Sequence, residues 1–251
     1  MAHKPEGTAH MVSEHIVKSF DDELNRLASM IAEMGGLAES QLADAISALS
    51  RRDETLASSV IVQDVRLDAL ETDIDAQVIR MLALRQPQAL DLRAVIVALK
   101  ISAELERIGD YAKNVAKRTL TLMQAAAVGT ASNTIVRMGA IVGGMISNVI
   151  DAYLNADILK AEEVRARDHD VDQMHTSLFR ELLTYMMEDP RNITACTHLL
   201  FIAKNIERIG DHVTNIAENV HFLVAGQIPG HDRPKSDFSS STIVNVEDNA
   251  P

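Results

Sequence analysis

Long stretches of the chain place apolar side chains three or four residues apart, which is the spacing that lines one face of an α-helix. This pattern predicts six long helices, over about 14–49, 53–84, 90–123, 133–153, 157–189 and 192–225. All six prolines fall outside these segments, and aromatic residues make up only 3% of the chain, so runs typical of strands are sparse. The sequence therefore predicts an all-α fold.

Single residues refine the predicted helix bounds. Asp53 and Asp157 precede the second and fifth helices and are candidate N-caps, because an aspartate side chain accepts hydrogen bonds from the first free amides of a helix. Pro87 and Pro190 close the helices before them. The pair Gly35-Gly36 is expected to be a weak point inside the first helix.

The third and sixth predicted helices carry the same sequence, Glu-Arg-Ile-Gly-Asp, which we call the ERIGD motif. It occupies 106–110 and recurs 101 residues later at 207–211, with an asparagine four positions after each copy. The pair Asp64 and Asp68 of the second helix likewise recurs 104 residues later, as Asp168 and Asp172 of the fifth. Such a repeat indicates that the chain is a duplicated three-helix unit.

The repeat divides the chain into four segments. Two tandem, pseudo-symmetric three-helix bundles are predicted over 14–124 and 133–225. The first 13 residues and the segment 226–251, which holds three prolines and a serine run, are predicted to be flexible ends.

Acidic side chains lie four residues apart on the second, third, fifth and sixth helices, where like charges repel by about 0.2–0.5 kcal/mol per pair. Packing neighbouring helices side by side is expected to gather these carboxylates into one cluster per repeat. Clustered carboxylates raise one another's pKa unless a cation neutralises them. We therefore hypothesise one metal site per repeat, with the eight candidate ligands Asp64, Asp68, Glu106, Asp110, Asp168, Asp172, Glu207 and Asp211.

An oxygen-only ligand set suits hard cations such as Mg²⁺, Mn²⁺, Ca²⁺ or Fe³⁺. The helical arrangement predicts that both ERIGD motifs point away from the main apolar core. Gly109 and Gly210 occupy matched places inside the motifs, where close helix crossing is the simpler explanation and close approach of a cation or a partner the alternative.

Two other interpretations of the acidic residues stay open. A solvated helix face is the ordinary reason for such a stripe, and it corresponds to a metal-free helical scaffold. The pairs Asp172/His175 and Glu218/His221 resemble the Glu-x-x-His ligands of di-metal carboxylate enzymes, but one pair begins with Asp and the first repeat has no matching histidines. No nucleotide-binding loop or nucleophile motif is present in the sequence, so we predict no catalytic residues.

The composition of the chain limits its expected cellular location and the partners it can bind. Of the 251 residues, 36 are acidic and 24 basic, for a formal net charge of −12, which disfavours binding to nucleic acid or to an anionic membrane. A single cysteine, Cys196, cannot form an internal disulfide. Because 1–7 lack the apolar core of a secretory signal and the longest uncharged run, 119–136, is too polar to span a bilayer, we expect a cytoplasmic protein.

The doubled ERIGD helices, the paired aspartates and the opening 19–24, Ser-Phe-Asp-Asp-Glu-Leu, resemble the PhoU family of accessory regulators of phosphate-specific transport. The resemblance extends over about 13–222. It implies two three-helix bundles, commonly assembled as a homodimer, with no catalytic turnover. It also implies repression of the phosphate-starvation response by linking the ATPase subunit of a phosphate ABC transporter to a sensor histidine kinase, so that the membrane is reached only through partners.

The resemblance adds an expectation about metals. Some members of the family hold iron or zinc clusters on their acidic motifs, whereas others are metal-free. Carried over residue by residue, it implies the same eight carboxylates as ligands, with iron or zinc as the metal beside the magnesium or manganese that the donor chemistry allows.

Overall fold

The computed structural model describes residues 7–85, 87–125, 128, 130–229 and 239, with side chains from residue 20 onward. That part of the chain is all-α, with seven α-helices, one short 3₁₀ helix and no strand. The α-helices are α1 (Gly7–Arg51), α2 (Glu54–Gln63), α3 (Val65–Arg85), α4 (Leu90–Leu122), α5 (Ala131–Asn155), α6 (Ile158–Glu188) and α7 (Ile193–Ala225), and the 3₁₀ helix covers Pro190–Asn192.

The predicted all-α fold is confirmed, with one subdivision. The second predicted helix is divided at Asp64 into α2 and α3, although Asp64 keeps helical backbone angles, φ −54° and ψ −34°. The first helix begins at Gly7, earlier than predicted. Of the predicted flexible ends, residues 1–6, 230–238 and 240–251 lie outside the described residues.

Matched turns start the second helix of each repeat. The side chain of Asp53 accepts a hydrogen bond from the amide of Leu56 at 2.9 Å, and Asp157 accepts one from the amide of Lys160 at 3.1 Å. Each cap follows a residue in the left-handed region, with φ of 52° at Arg52 and 51° at Ala156. Both predicted N-caps are therefore confirmed, and the repeat is preserved in its backbone turns.

The two repeats pack side by side along their lengths. In the first repeat α2 and α3 pack against α1 and α4, and in the second α6 packs against α5 and α7. The repeats meet through α1 with α5 and through α4 with α7, so these four helices form a central group flanked by α2 and α3 on one side and α6 on the other. The buried apolar side chains of both repeats belong to one continuous core.

Two glycines, 104 positions apart, bring α1 and α5 together. A Cβ atom built on Gly35 would lie 2.6 Å from Cγ1 of Ile150, and one built on Gly139 would lie 2.6 Å from Cγ1 of Ile46. These contacts pair Gly35 with late α5 and Ile46, further along α1, with early α5, so the two helices run antiparallel about a pseudo-twofold axis. The expected weak point in α1 is instead a packing contact, and the helix continues through it.

In the described part of the chain, α5 alone is long and apolar enough to cross a membrane. Half of its most apolar window is buried inside the bundle, as is usual for a core helix, so this length and composition are weak evidence for a membrane span.

The glycine contact predicts opposite effects for two adjacent substitutions. We expect Gly35→Ala to lower the free energy of unfolding by about 1–3 kcal/mol, because the new methyl group overlaps a β-branched side chain that has little freedom to move. Gly36, by contrast, has no atom within 4 Å of its would-be Cβ, so Gly36→Ala is expected to raise that free energy by about 0.5–1 kcal/mol. Denaturant unfolding of both variants measures the difference, and equal effects would contradict the close contact.

Candidate functional site: two acidic clusters

The matched glycines of the ERIGD motifs lie directly against the first aspartate of each cluster. A Cβ atom on Gly109 would lie 3.3 Å from Oδ1 of Asp64, and one on Gly210 would lie 2.9 Å from Oδ1 of Asp168. A Cβ atom at position 210 would force Oδ1 of Asp168 to move, and one at position 109 would crowd Leu67, Gln41 and Asp64. The close-crossing explanation for these glycines is thus confirmed, since the crossing makes room for a buried acidic side chain.

In the first cluster, both oxygens of Asp64 have donors. The Gln41 amide donates to Oδ1 at 2.8 Å, and the Lys113 ammonium donates to Oδ2. Lys113 also donates to Oδ1 of Asp110 at 2.7 Å, so that it joins α4 to the break between α2 and α3. Asp64 is 3% exposed, whereas Asp68, one turn further along, is exposed to solvent. The centre of this cluster is therefore a lysine held by two carboxylates.

The acidic side chains of this cluster have pKa values that are shifted in different directions. Burial raises the pKa of Glu106 to about 7, and the negative charge of Asp110 adds to the effect. Burial also raises the pKa of Glu71, helped by the charge of Asp75. The pKa of Asp110 falls below its usual value because the hydrogen bond and charge of Lys113, with further help from Glu106 and Arg107, outweigh the effect of burial. The pKa values of Glu106 and Asp110 are thus shifted in opposite directions, so Asp110 loses its proton at lower pH than Glu106.

The second cluster is more deeply buried than the first. Four of its side chains are less than a tenth exposed, namely Asp168, Asp172, His175 and Glu207. Lys204 precedes Glu207 by one helical turn on α7 and donates to its Oε1 at 2.8 Å. Asp211, at the end of the motif, is half-buried. The packed pair α6 and α7 therefore carries buried carboxylates and one buried imidazole.

The ERIGD motifs are predicted to point away from the core, and of their four acidic residues Glu207 is buried whereas Glu106, Asp110 and Asp211 are half-buried. Asp64, Asp168, Asp172 and Glu207 are buried, Asp68 is exposed, and the other three candidates are half-buried. Helical periodicity places these residues beside the apolar stripe, but it does not show that a glycine on the facing helix lets them enter the interface.

Sequence reasoning missed three residues that complete the clusters: Gln41, Lys113 and Lys204. Lys113 follows Asp110 by three positions and Lys204 precedes Glu207 by three, so each lysine shares a helix face with an ERIGD carboxylate. This spacing could have predicted both ion pairs from the sequence. Gln41 interrupts the apolar stripe of α1, a weaker signal of a buried polar contact.

The histidines of the second repeat do not gather around one site. His212 lies at the seam between α4 and α7, where its Nδ1 is 2.6 Å from Oε2 of Glu104. The Asn215 amide donates to the same Glu104 oxygen at 3.2 Å, and the ring of His212 lies 5.4 Å from that of Tyr111. His221 instead contacts the carbonyl oxygen of Gln227 at 3.0 Å. His175 is buried on α6, the helix that also carries Asp168 and Asp172.

The contacts of the side chains in each cluster indicate how well that cluster suits a metal ion. Within the described residues, no three His, Cys, Asp or Glu side chains come together in an arrangement ready to hold one. In the first cluster the ammonium of Lys113 uses the oxygens of Asp64 and Asp110 that a cation would need. In the second cluster the buried oxygen donors suit a hard cation by chemistry. The metal sites stay a prediction.

The environment of Glu106 predicts a titration near neutral pH. Because its pKa is raised in the folded state, the folded chain binds more protons than the unfolded chain between about pH 4.5 and 7, so stability should fall as pH rises through that interval. We expect the Glu106 carboxyl carbon to titrate with a midpoint of about 7 by NMR, and Asp110→Asn to lower that midpoint. In Glu106→Gln the fall in stability over this pH interval should be smaller than in the wild type. A midpoint near 4.5 for Glu106 would contradict the buried environment assigned to this carboxyl group.

Comparison with known proteins places the chain in a family. The PhoU domain model matches residues 31–119 and 135–220, which are the two repeats. A Caulobacter vibrioides protein named phosphate-specific transport system accessory protein PhoU homolog is 52% identical over 91% of this chain and 100% of its own length. A Rhizobium meliloti protein of the same name is 46% identical over 95% of this chain and 100% of its own.

Two solved structures have the same fold. The crystal structure of PhoU from Pseudomonas aeruginosa superposes with a TM-score of 0.81 at 39% identity, covering 83% of this chain and 100% of that one. The phosphate transport system regulatory protein PhoU from Streptococcus pneumoniae gives a TM-score of 0.78 at 28% identity, over 84% and 99% of the two chains. The match of both repeats, together with relatives that align over their full length, shows that this chain belongs to the PhoU family.

Proposed function

We propose that this chain is a cytoplasmic, non-enzymatic regulator that represses the phosphate-starvation response and restrains phosphate uptake when phosphate is plentiful. It does so by linking the ATPase subunit of a phosphate ABC transporter to a sensor histidine kinase. The observation that carries the proposal is the alignment of 91% of the chain with the whole of a relative named as an accessory protein of phosphate-specific transport. A homodimer, as the resemblance implies, is part of the proposal.

The geometry supports an adaptor because the duplicated fold has two similar flanks. Helices α2 and α3 form one flank and α6 forms the other, each packed only on its own repeat among the described helices. Exposed acids lie on both flanks, Asp68 and Asp73 on α3 and Glu163 and Asp170 on α6. Such surfaces complement basic patches on two partners, and complementary charge increases the rate and the specificity of encounter.

Any metal that the protein binds would lie in the second cluster. The side chains that would hold it are Asp168, Asp172, Glu207 and Asp211, with His175 as a nitrogen donor, and the metal would be iron or zinc by resemblance or manganese or magnesium by donor chemistry. Bound there, the ion would supply positive charge that offsets the buried carboxylates.

Deletion in the native cell tests the regulatory role. We expect phosphate-starvation genes to be switched on in phosphate-rich medium when the gene is deleted, and switched off again when the wild-type chain is restored. A deletion strain whose starvation genes stay silent in rich medium would contradict the proposal.

Variants of two exposed acids test the part that charge plays. Asp68→Asn with Asp73→Asn removes two exposed charges from the α3 flank, and we expect it to slow association with the basic partner about threefold or more. The matched control is Asp21→Asn with Asp22→Asn, which makes the same net change on exposed residues of α1. Binding that is equally slow for both pairs, or that is insensitive to salt, would leave no specific role for the flank.

A further inference from the structure

The repeat relationship allows the two clusters to be compared position by position. Lys113, which bridges Asp64 and Asp110, corresponds to Thr214 in the second repeat, at the same spacing of 101 as the ERIGD motifs. Gln41, the other donor to Asp64, corresponds to Met145 at the spacing of 104. The first cluster therefore has a cation and an amide at positions where the second has a hydroxyl and a thioether.

Neither substitute performs the same task. The hydroxyl of Thr214 donates to the backbone carbonyl oxygen of Asp211 at 2.8 Å, so this donor is used within its own helix turn. A thioether has no hydrogen to donate. The position matched to Lys113 thus carries no positive charge, although the four candidate ligands of the first repeat are each matched by an acid in the second. The lysine of the second cluster, Lys204, donates to Glu207 from one turn before the motif, a different place from that of Lys113.

We infer that the first cluster carries its own cation, the Lys113 ammonium, and is closed to metal ions, so that any response to metal belongs to the second cluster alone. A metal entering the first cluster would have to break the lysine's hydrogen bonds to two carboxylates, which are charge-assisted and among the stronger kind. It would also have to displace the Gln41 amide to use the second oxygen of Asp64.

Burial makes this exchange harder still. The Asp64 side chain is 5% exposed and that of Lys113 21%, so the pair is largely shielded from water. A metal ion would have to lose its own water shell to enter this shielded place and would also have to break the existing ion pair. Whether the first cluster admits a metal ion is independent of which partners the protein binds and of its regulatory role.

Manganese binding to the full chain tests the inference. We expect Lys113→Thr, which copies the residue of the second repeat, to bind about one Mn²⁺ ion per chain more than the wild type does, as measured by EPR of free Mn²⁺, because it frees the oxygens of two carboxylates for a hard cation. Adding Asp64→Asn to that variant should remove the extra ion. A folded Lys113→Thr chain that binds no more Mn²⁺ than the wild type would overturn the inference.

A second comparison keeps the test decisive if Lys113→Thr does not fold. Asp110 is half-buried, so Asp110→Asn is a milder change in the wild-type background. If the first cluster is closed, the Mn²⁺ bound by the wild type should be unchanged in Asp110→Asn. Loss of bound Mn²⁺ in this variant would show that the first cluster takes metal in spite of its lysine, and would also overturn the inference.

Discussion

A carboxylate placed between two packed helices needs room and a counter-charge, and Asp64 has both. The room comes from Gly109, whose missing side chain lets Oδ1 lie against the backbone of α4. The counter-charge comes from Lys113 on the same helix, and Gln41 on α1 donates to the remaining oxygen. These donors come from α1 and α4, so Asp64 joins both helices to the junction of α2 and α3.

The duplicated fold reuses this packing with different chemistry. Gly210 again makes room for an aspartate, Asp168, but a threonine replaces the lysine at the matched position. The repeats are held together by the reciprocal glycine contacts of α1 and α5, which keep the symmetry, and by the Glu104–His212 contact of α4 and α7, which breaks it. A duplicated scaffold can therefore hold two clusters that differ in their side chains.

Sequence alone predicted the helices and their caps because those depend on local spacing; Asp53 and Asp157 are examples. It also identified the eight acids, but not their burial, since entry into the interface depends on a glycine of another helix. The contact of Gln41 with Asp64 joins residues 23 positions apart and the contact of Glu104 with His212 joins residues 108 apart. Neither pairing follows from periodicity within one helix.

The most direct test of the buried, internally neutralised carboxylate compares two substitutions of the same kind one turn apart. Equilibrium unfolding of Asp64→Asn should show a loss of about 1–3 kcal/mol, because a buried ion pair is broken and Lys113 loses an acceptor. Asp68→Asn, at an exposed position, should stay within about 0.5 kcal/mol of the wild type. Equal stability of the two variants would contradict the account.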